Sequence, residues 1–556
     1  MPSSPSEPTS ATPSPEEQAL ELVARAEAHL AAGRLDQAVD AAAHAVALRA
    51  RLDVTLPAHA RALEAQGDGV AALDVWSQAV EAAPEAAANS AEMGRLALRL
   101  GKHSVAENVL TRHLARWPAT PELVAQLARA QMGQRAYDRA HETLKVALEA
   151  DAGQPLLWRT LAQLLSVQGR QAQAVVFFEE ALRLDFNSVE ALDGIADALL
   201  LGAGDDARAI EASEAALARA TGPKRPQIMA SHARRLLAAG RLEEGWNAFS
   251  QLVWPGEAAA VTVKIAAPRL SPEEPMDGRL LLIGEADIVD EVLLAQTMPR
   301  LAADGIKPIL AVQAHWAALA QRSFPDAVIV TTRDKVEGGR RLLTAELDSP
   351  HVHGGELVAA WAPLRALPGL YCADPEAMAG APYLTPDPVR VAHWRERLAA
   401  LGPGRKVGVV WRAPGAYPQP WEAPPMPGLR AALDVPGVQL IGVQAQDMQG
   451  ELAWIRDAYG LSIHEPPPEL RLWDLDDVAA MTMALDVVVG LPDAATIVAA
   501  ASGAQTWILS PPRHWMRLGT ERYPWFPQAR VMAADGPGDW DRALGELNAA
   551  VAELAA

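Results

Sequence analysis

The sequence predicts an α-helical solenoid followed by an α/β region with two parallel-sheet halves. Residues 17–254 repeat with a period of 34 residues, and small residues recur at fixed places in each repeat. Beyond residue 277, short apolar segments alternate with helical stretches, which is typical of βαβ units. Residues 255–277, rich in Pro, Ala and Glu, are the predicted linker. The α/β region then divides into two Rossmann-like halves, residues 278–388 and 389–556.

Composition and charge exclude several classes of partner. The chain of 556 residues has a formal net charge of −20, whereas nucleic acids and anionic membranes both need clustered Lys and Arg. Cys372 is the only cysteine, so an intrachain disulfide is excluded and a cysteine-based metal site is not expected. Residues 1–16, rich in Ser, Pro and Thr, are predicted to be a disordered tail and not a signal peptide. The single cysteine fits a reducing cytoplasm, which is the location we expect. Because no apolar run reaches about 18 residues, we expect no membrane span.

The repeats have the features of tetratricopeptide units. Glycine allows the turn between paired helices, and an alanine five residues later lets the helices pack closely. Arg135 holds the one place without glycine, and the phase slips by one residue near Gly204 and by about three near Gly240. About six or seven such repeats form a concave groove that predicts a protein partner; a scaffold without a particular ligand is the alternative. The glycines are Gly33, Gly67, Gly101 and Gly169, and the alanines are Ala38, Ala72, Ala106, Ala140 and Ala174.

The α/β region contains apolar segments that are predicted to be buried strands of parallel sheets. Helices are predicted at residues 389–401 and 539–554. The predicted strands are residues 279–284, 308–313, 327–331 and 356–361 in the first half, and residues 406–411, 438–444, 461–465, 486–490 and 505–510 in the second half.

Residues 486–512 predict a phosphate-binding turn. They comprise a strand, a turn, a short helix over residues 494–502 and a second strand. A helix that begins at the C-terminal edge of a parallel strand offers free N–H groups to a phosphate, which Ala494 and Thr496 would hold. Asp493 is a good N-cap and would occupy part of that positive site, so capping is the competing interpretation. A βαβ unit that binds nothing is a further alternative.

Three more candidate residues follow other predicted strands. Asp290 lies just past the first strand and is a candidate base for an acceptor hydroxyl. Its alternative role is to stabilise the start of a helix through its charge. Arg412 and Gln444 lie at the ends of two strands of the second half, where side chains face a cleft between sheets.

Cations and aromatic residues cluster after the strand at residues 505–510. Arginine binds carboxylates and phosphates through paired N–H groups, and rings stack on bases, so the cluster suits an acidic sugar nucleotide. A packed lid of aromatic and proline residues is the competing interpretation. His351 and His353 form an H-x-H pair, for which a surface loop is favoured over a metal site, and the sequence contains no metal motif. The cluster comprises Arg513, His514, Trp515, Arg517, Arg522, Tyr523 and Trp525.

Three blocks of the α/β region resemble bacterial tetratricopeptide proteins with a GT-B glycosyltransferase region, which are distant relatives of the O-GlcNAc transferases and heptosyltransferases. The first block is YLTPDPVRVAHWRERL before KVGVVW, and the second is ALDVVVGLPDAATIVAAASGAQTWILSP. The third, HWMRLGTERYPWFPQARV with GDWDRAL behind it, is the most specific because its aromatic and proline residues fall on the family's pattern. The resemblance covers nearly all of residues 17–556. It implies a GT-B fold, sugar transfer without a metal ion, and no cofactor besides a nucleotide-sugar donor.

Within this group the chain is most similar to the flagellin-modifying members. That resemblance implies transfer of a nonulosonic acid, a pseudaminic-acid-like sugar, from a CMP-sugar to Ser or Thr of flagellin in flagellum assembly. It also implies that the solenoid groove holds flagellin.

Three sites depart from the family's pattern, and the departures leave alternative functions open. The wider family has a glycine-rich loop after the first strand, a Gln-Lys pair after a strand of the second half, and an Asp-Thr followed by His in the phosphate turn. Either the donor has a single phosphate, as a CMP-sugar does, or the chain is a catalytically inactive adaptor or chaperone. A transferase for a carbohydrate acceptor would leave the solenoid without a role. The departures are Asp287 and Val289 for glycines, Ala445 for lysine, and Pro492, Asp493 and Ile497 for Asp, Thr and His.

Overall fold

A computed structural model describes residues 13–252, 262–263, 268–270, 279–284, 287–337, 340–345, 358–376, 378, 380–412, 421–444, 449–465 and 474–556. The architecture is an N-terminal tetratricopeptide-like helical solenoid followed by an α/β region with one mixed sheet and one parallel sheet. The chain separates into two compact units. The first contains the residues up to Leu164 together with Glu180–Phe186, and the second contains Leu165–Glu179 and Asn187–Ala556.

The solenoid contains fourteen α-helices in the described part of the chain. The first begins at Pro15, inside the predicted tail of residues 1–16, because Ser14 and Glu17 form a capping box. The helices are α1 (Pro15–Ala31), α2 (Leu35–Ala47), α3 (Leu52–Gln66), α4 (Gly69–Ala82), α5 (Ala87–Arg99), α6 (His103–Leu114), α7 (Pro121–Gly133), α8 (Tyr137–Ala150), α9 (Pro155–Val167), α10 (Gln171–Leu184), α11 (Val189–Ala198), α12 (Asp206–Arg219), α13 (Lys224–Ala238) and α14 (Leu242–Ser250).

The repeat positions have the conformations that the 34-residue period predicts. The glycines of the period have positive φ, and Arg135, which holds the missing place, also has a positive φ of 58°. The five alanines that follow them are fully buried at helix crossings. The phase slip near Gly204 coincides with a π-helical turn at Leu199–Ala203, which accommodates one additional residue without ending the helix.

The first sheet has six strands, of which two were not predicted. The strand β1 (Thr262–Val263) lies inside the predicted linker of residues 255–277, and β5 (Arg340–Ala345) begins with two arginines and has no long apolar run. The other strands are β2 (Arg279–Ile283), β3 (Ile309–Val312), β4 (Val328–Glu337) and β6 (Val358–Pro363).

The first sheet is mixed, whereas the sequence predicts a parallel one. Its strand order is β1-β5-β4-β3-β2-β6, and β4 pairs antiparallel with β5 while the other neighbours pair parallel. Only residues 338–339 separate β4 from β5, and a connection this short joins antiparallel strands. The strand β2 lies between β3 and the edge strand β6. The chain runs from β2 to β5 toward one edge and returns to the other side of β2 with β6, so the switch point lies beside β2.

The second sheet is fully parallel and has the order β12-β11-β10-β7-β8-β9. The chain moves outward from β7 to β9 and then returns to the other side of β7, which makes the β7–β10 boundary a topological switch point. The sequence does not predict β12, which begins in the last two residues of the aromatic block. The strands are β7 (Arg405–Val410), β8 (Val438–Gly442), β9 (Ile463–His464), β10 (Val487–Gly490), β11 (Thr506–Ser510) and β12 (Arg530–Ala533).

Helices cover both sheets and bring the two halves together. The helix α15 (Ile288–Leu294) of the first half packs against α23 (Ala494–Ser502) of the second half. No helix in the described ranges has both the length and the hydrophobicity that a membrane span requires. The other helices are α16 (Met298–Ala303), α17 (Ala317–Ser323), α18 (Pro368–Tyr371), α19 (Pro388–Ala399), α20 (Met426–Leu433), α21 (Gln449–Tyr459), α22 (Leu475–Thr482) and α24 (Asp541–Ala555).

Candidate functional site

Gln444 is fixed at the carboxyl edge of the second sheet, beside the switch point. Its Oε1 accepts hydrogen bonds from the backbone N–H groups of Trp411 at 3.1 Å and Arg412 at 3.0 Å. The Gln444 side chain therefore joins the end of β8 to the end of β7. The residue is only 4% exposed, so its orientation is set by the fold.

Two buried donors at this edge have no acceptor among the described residues. They are Nε2 of Gln444 and Nε1 of Trp411, a residue that is 5% exposed. An unsatisfied buried donor costs about 1–3 kcal/mol, which a ligand with acceptor atoms would recover. Ligands of open α/β sheets bind at such switch points, outside the carboxyl ends of the strands. The edge therefore has the chemistry of a binding site for a ligand rich in oxygen or ring-nitrogen acceptors.

Arg412 lies at the same edge, and its guanidinium forms an ion pair with Glu451 of α21. Both side chains are partly buried. The ion pair holds the start of α21 close to the end of β7. The Arg412 backbone N–H contacts Gln444, so this cation belongs to the residue that directly follows Trp411 at the same edge.

Asp493 occupies the N-terminus of α23, as the capping interpretation predicts. Its carboxylate accepts a hydrogen bond from the Thr496 N–H at 3.2 Å. Burial raises the pKa of Asp493 to about 7, although hydrogen bonds from Thr496 and Ala495 act in the opposite direction. The free N–H groups that would hold a phosphate beside Ala494 are thus in contact with a protein carboxyl group. That carboxyl group changes its charge near neutral pH.

Thr496 is fully buried beneath the switch point. A Cβ atom at Gly490, the last residue of β10, would overlap the Thr496 hydroxyl and the Val410 side chain. Glycine at position 490 therefore lets α23 begin close to β7 and β10.

Asp290 lies in the first turn of α15, directly beyond β2 and at the switch point of the first sheet. Its Oδ2 is 3.7 Å from Nη2 of Arg234, which belongs to α13 of the solenoid. Burial raises the pKa of Asp290 to about 6, while the positive charge of Arg234 lowers it and Asp287 raises it. A carboxylate with this pKa is ionised at neutral pH and can still accept a proton.

His514 lies in the loop after β11 and is engaged through one ring nitrogen. Its Nδ1 is 3.2 Å from the hydroxyl of Tyr523, which is 3.2 Å from the hydroxyl of Ser510. Burial lowers the pKa of His514 to about 3, and the charges of Arg234 and Arg517 lower it further. His514 is thus a neutral ring at physiological pH and not one of the cations of the predicted cluster.

The other members of the predicted cation and aromatic cluster are used in contacts within the protein. Arg513 forms an ion pair with Asp206, and Arg522 forms one with Glu376. Arg517 donates to the Thr520 carbonyl at 3.0 Å and to Glu521 at 2.7 Å. Trp515 is buried, with its ring centroid 5.7 Å from that of Phe249. The geometry matches the packed-lid alternative, and donor binding by Arg513, Trp515, Arg517 and Arg522 stays a prediction.

The last helix pair of the solenoid, α13 and α14, packs directly on the α/β region. The Trp246 ring of α14 meets Trp525 edge to face at 5.9 Å, and its Nε1 donates to the Cys372 carbonyl at 2.9 Å. The helix α13 packs on residues 515–517 of the aromatic block. These contacts place Arg234 beside Asp290.

Glu291 is a buried carboxylate that the sequence did not single out. It accepts hydrogen bonds from N and Nε2 of Gln313 at 3.0 and 3.1 Å, and from Nε1 of Trp316 at 2.5 Å. A Cβ atom at Gly284 would overlap this carboxylate. Glu291 therefore links the ends of β2 and β3 and supports the turn that presents Asp290. Its sequence context, an apolar helix start, gives no signal for this role.

Two further predictions concern residues outside the described ranges. They are the H-x-H pair of His351 and His353, and Ala445 at the place of the family's lysine. Within the described ranges, no group of three or more His, Cys, Asp or Glu side chains could hold a metal ion.

The structure brings the predicted residues together in two places. Gln444, Arg412, Asp493, Ala494 and Thr496 lie at the switch point of the second sheet. Asp290 lies 3.7 Å from Arg234, and His514 directly precedes residues 515–517, which pack on the helix of Arg234. Helices α15 and α23, which start at the two switch points, pack on each other.

The fold and these two places define a class of protein. It is a tetratricopeptide-repeat protein whose solenoid is followed by an α/β region with two sheets and polar groups at their switch points. The tetratricopeptide repeat family matches residues 97–164. The chain is 32% identical to Protein FlbA of Caulobacter vibrioides over 498 residues, which are 88% of this chain and 82% of the relative. The chain belongs to the FlbA family.

Solved structures of repeat proteins align with part of the chain. A tetratricopeptide repeat protein from Parabacteroides merdae aligns with 42% of this chain and 91% of its own, with 17% identity and a TM-score of 0.37. A thermophilic TPR protein of Thermus thermophilus aligns with 30% of this chain and 89% of its own, with 21% identity and a TM-score of 0.27.

Proposed function

We propose that this chain is a cytoplasmic protein O-glycosyltransferase with a GT-B architecture. It transfers a nonulosonic acid from a CMP-sugar to Ser or Thr of flagellin, which the solenoid holds, and it acts in flagellum assembly. The observation that carries the proposal is a pair of buried donors, Nε2 of Gln444 and Nε1 of Trp411, which lie at a topological switch point and have no acceptor in the part of the chain that the structure describes. A pyrimidine base or a phosphate provides the acceptors that these donors lack.

The proposed transfer uses one protein base and no metal ion. The bond between the anomeric carbon and the phosphate oxygen of the donor breaks, and CMP leaves with the electron pair. The acceptor hydroxyl oxygen bonds to the anomeric carbon and gives its proton to Asp290. A carboxylate whose pKa is about 6 is suited to this step, because it is ionised at pH 7 and still basic enough to bind the proton.

The state of α23 supports a donor with a single phosphate. The carboxyl group of Asp493 already contacts the N–H groups at the start of this helix. A diphosphate needs more neutralising charge than a monophosphate, and Ala445 stands where the family has a lysine. Arg412, although paired with Glu451, supplies a cation at this edge.

A transfer assay tests the proposed reaction. The full chain is incubated with flagellin and CMP-pseudaminic acid, and flagellin is weighed by mass spectrometry. We expect a mass gain of one sugar residue per modified site, and no gain with D290N. If flagellin keeps its mass with CMP-pseudaminic acid, CMP-N-acetylneuraminic acid and UDP-N-acetylglucosamine, the chain is not this transferase.

Ligand binding tests the donor site separately. Q444E keeps the Oε1 acceptor and removes the Nε2 donor, and W411F removes only the indole N–H. W411F is expected to weaken CMP binding in calorimetry by about tenfold, which corresponds to one lost hydrogen bond. Q444E should weaken binding by at least as much, because its carboxylate also brings a negative charge to a site for an anionic ligand. W454F, at an exposed tryptophan of α21, is the matched control and should bind CMP like the native chain.

A catalytically inactive adaptor for a protein partner is the second candidate. It is favoured by the protein contacts that engage Asp493, Arg513, Arg517 and Arg522. A ligand at a hundred times its Kd stabilises the native state by about 2.7 kcal/mol, so a true donor raises the melting temperature. An adaptor would bind flagellin with no change in melting temperature on addition of CMP or its sugars.

A further inference from the structure

Arg234 lies where the solenoid meets the α/β region and has donor capacity to spare. Its side chain is 45% exposed, whereas that of Asp290 is 16% exposed. The ion pair joins one nitrogen to one oxygen at 3.7 Å, which is long for a hydrogen bond. A guanidinium has five N–H donors in a planar fork, so a second anion can bind Arg234 beside Asp290.

The neighbouring residue Arg235, and not Arg234, holds α13 against the preceding helices of the solenoid. Arg235 is buried, and it contacts Asp193 at 2.7 Å and Asp197 at 2.8 Å, both on α11. These ion pairs fix α13 within the helical array. Arg234 has no comparable contact with the helices of the array among the described residues and instead reaches Asp290 of the first sheet's half.

Three segments of the chain meet around Arg234. They are α13 itself, the first turn of α15 with Asp290, and the loop after β11, whose residues 515–517 pack on α13 directly after His514. The charged groups that face Asp290 are Arg234, Arg365, which follows β6, and Asp287, which caps its own helix. His514 is neutral and Arg513 of the same loop is paired with Asp206, so Arg234 is the exposed cation that the described residues place beside Asp290.

We propose that Arg234 is a substrate-binding residue of the transfer site, which binds the carboxylate or phosphate of the donor sugar nucleotide. This inference rests on the proposed glycosyltransferase function. It assigns the last helix pair of the solenoid to the active site, so that the array contributes to the chemistry as well as to partner binding.

Donor binding to Arg234 would also activate Asp290. An anion on the guanidinium competes with Asp290 for its positive charge, and a carboxylate that loses a nearby cation becomes more basic. The base would therefore become stronger when the donor is in place. An acceptor hydroxyl would then lose its proton at the point in the cycle where the sugar is available.

The test compares R234Q and R234K with R241Q in the full chain. Arg241 lies just beyond α13, is 41% exposed and pairs with Glu244, so it is a matched exposed arginine. R234Q should raise the KM for CMP-pseudaminic acid by about tenfold. In the pH profile of kcat/KM, the acidic limb of R234Q should move to higher pH, because Asp290 loses the Arg234 cation that lowers the Asp290 pKa. R234K should recover part of both effects, and R241Q should change neither.

Binding of the separate parts of the donor identifies the anion. R234Q and the native chain are titrated with CMP, with free N-acetylneuraminic acid and with CMP-N-acetylneuraminic acid. Weaker binding of CMP assigns Arg234 to the phosphate, whereas weaker binding only of ligands with the sugar acid assigns it to the carboxylate. Native binding of all three by R234Q, with an unshifted acidic limb, overturns the inference but leaves the transferase proposal standing. If the native chain neither binds nor transfers, both proposals are wrong.

Discussion

The backbone of Gly240, in the turn after α13, lies against the backbone of Gly519, in the turn after residues 515–517. A Cβ atom at Gly519 would lie 2.7 Å from the Gly240 Cα and 2.9 Å from its N. Both glycines have positive φ, 77° and 75°. This contact fixes the distance between the last helix pair and the aromatic block, and hence the position of Arg234.

G519A should therefore destabilise the α/β region by about 2–4 kcal/mol, since a methyl group at this place meets backbone and the residue needs positive φ. Calorimetric unfolding measures the loss. G305A is the matched control, because Gly305 has φ of 78° and an added Cβ meets nothing within 4 Å. The control should cost only about 1 kcal/mol from the backbone conformation. Equal losses for the two variants would show that the Gly240 contact carries no stability.

The Trp246 indole connects α14 to the α/β region through a hydrogen bond and a ring contact. W246F removes the indole N–H, which donates to the buried Cys372 carbonyl oxygen at 2.9 Å. The smaller phenyl ring also makes less contact with the Trp525 ring. The loss should be about 2–3 kcal/mol, because a buried carbonyl loses its side-chain donor and the smaller ring leaves space. Urea unfolding followed by circular dichroism measures it. W454F, at an exposed tryptophan, should change stability by less than about 0.5 kcal/mol.

Elements with local signals were predictable from the sequence. The helix α23 has the predicted bounds, because Asp493 caps its start and Gly503, with φ of 87°, ends it. The repeat register was also predictable, including the position of Arg135, since the turn between helices imposes one backbone conformation on whichever residue holds it. The strands β5 and β12 were not predictable from the sequence. The strand β5 starts with two arginines, and β12 begins at the end of an aromatic block.

The sequence predicted only those residues of the candidate site that lie at the end of a strand or the start of a helix. Gln444, Arg412 and Asp493 each end a strand or start a helix, so the parallel register brings them to one edge. Arg234 is separated from Asp290 by the linker and the first strands, and no local pattern relates the two. The ion pairs of Arg513 with Asp206 and of Arg522 with Glu376 were likewise not predictable, since the partners are distant in the sequence.

Glu291 should be essential for stability although it is not a predicted catalytic residue. In E291Q an amide NH₂ group replaces an oxygen that accepts from Gln313 or Trp316, so two donors face each other in a buried site. We expect a loss of about 2–3 kcal/mol in the free energy of unfolding, measured with urea. E521Q, at a fully exposed glutamate, should cost less than about 0.5 kcal/mol. Native stability of E291Q would show that the carboxylate is protonated and replaceable.

Asp493 should make stability depend on pH near neutrality. Its pKa is about 7 in the folded chain, above the ordinary value of 3.8, because it is buried at the start of α23. Well below pH 4 the carboxyl group is neutral in the folded and the unfolded chain, so its burial does not lower the free energy of unfolding. As the pH rises from 4 to 7, the unfolded chain releases the proton first, so unfolding becomes more favourable. Above pH 7 the carboxyl group is ionised in both the folded and the unfolded chain, and the loss of stability no longer grows with pH.

D493N removes this titration and keeps a side chain that caps helices well. The variant should match the native chain at pH 4 and exceed its stability at pH 8 by about 2 kcal/mol, a value reduced for partial solvent access. Thermal unfolding between pH 4 and pH 8 measures the difference. D68N is the matched control for the capping role, because Asp68 caps α4 through the Ala71 N–H on an exposed surface. A D493N curve parallel to the native one would mean that the Asp493 carboxylate is solvated in the folded chain and that α23 begins with a full negative charge.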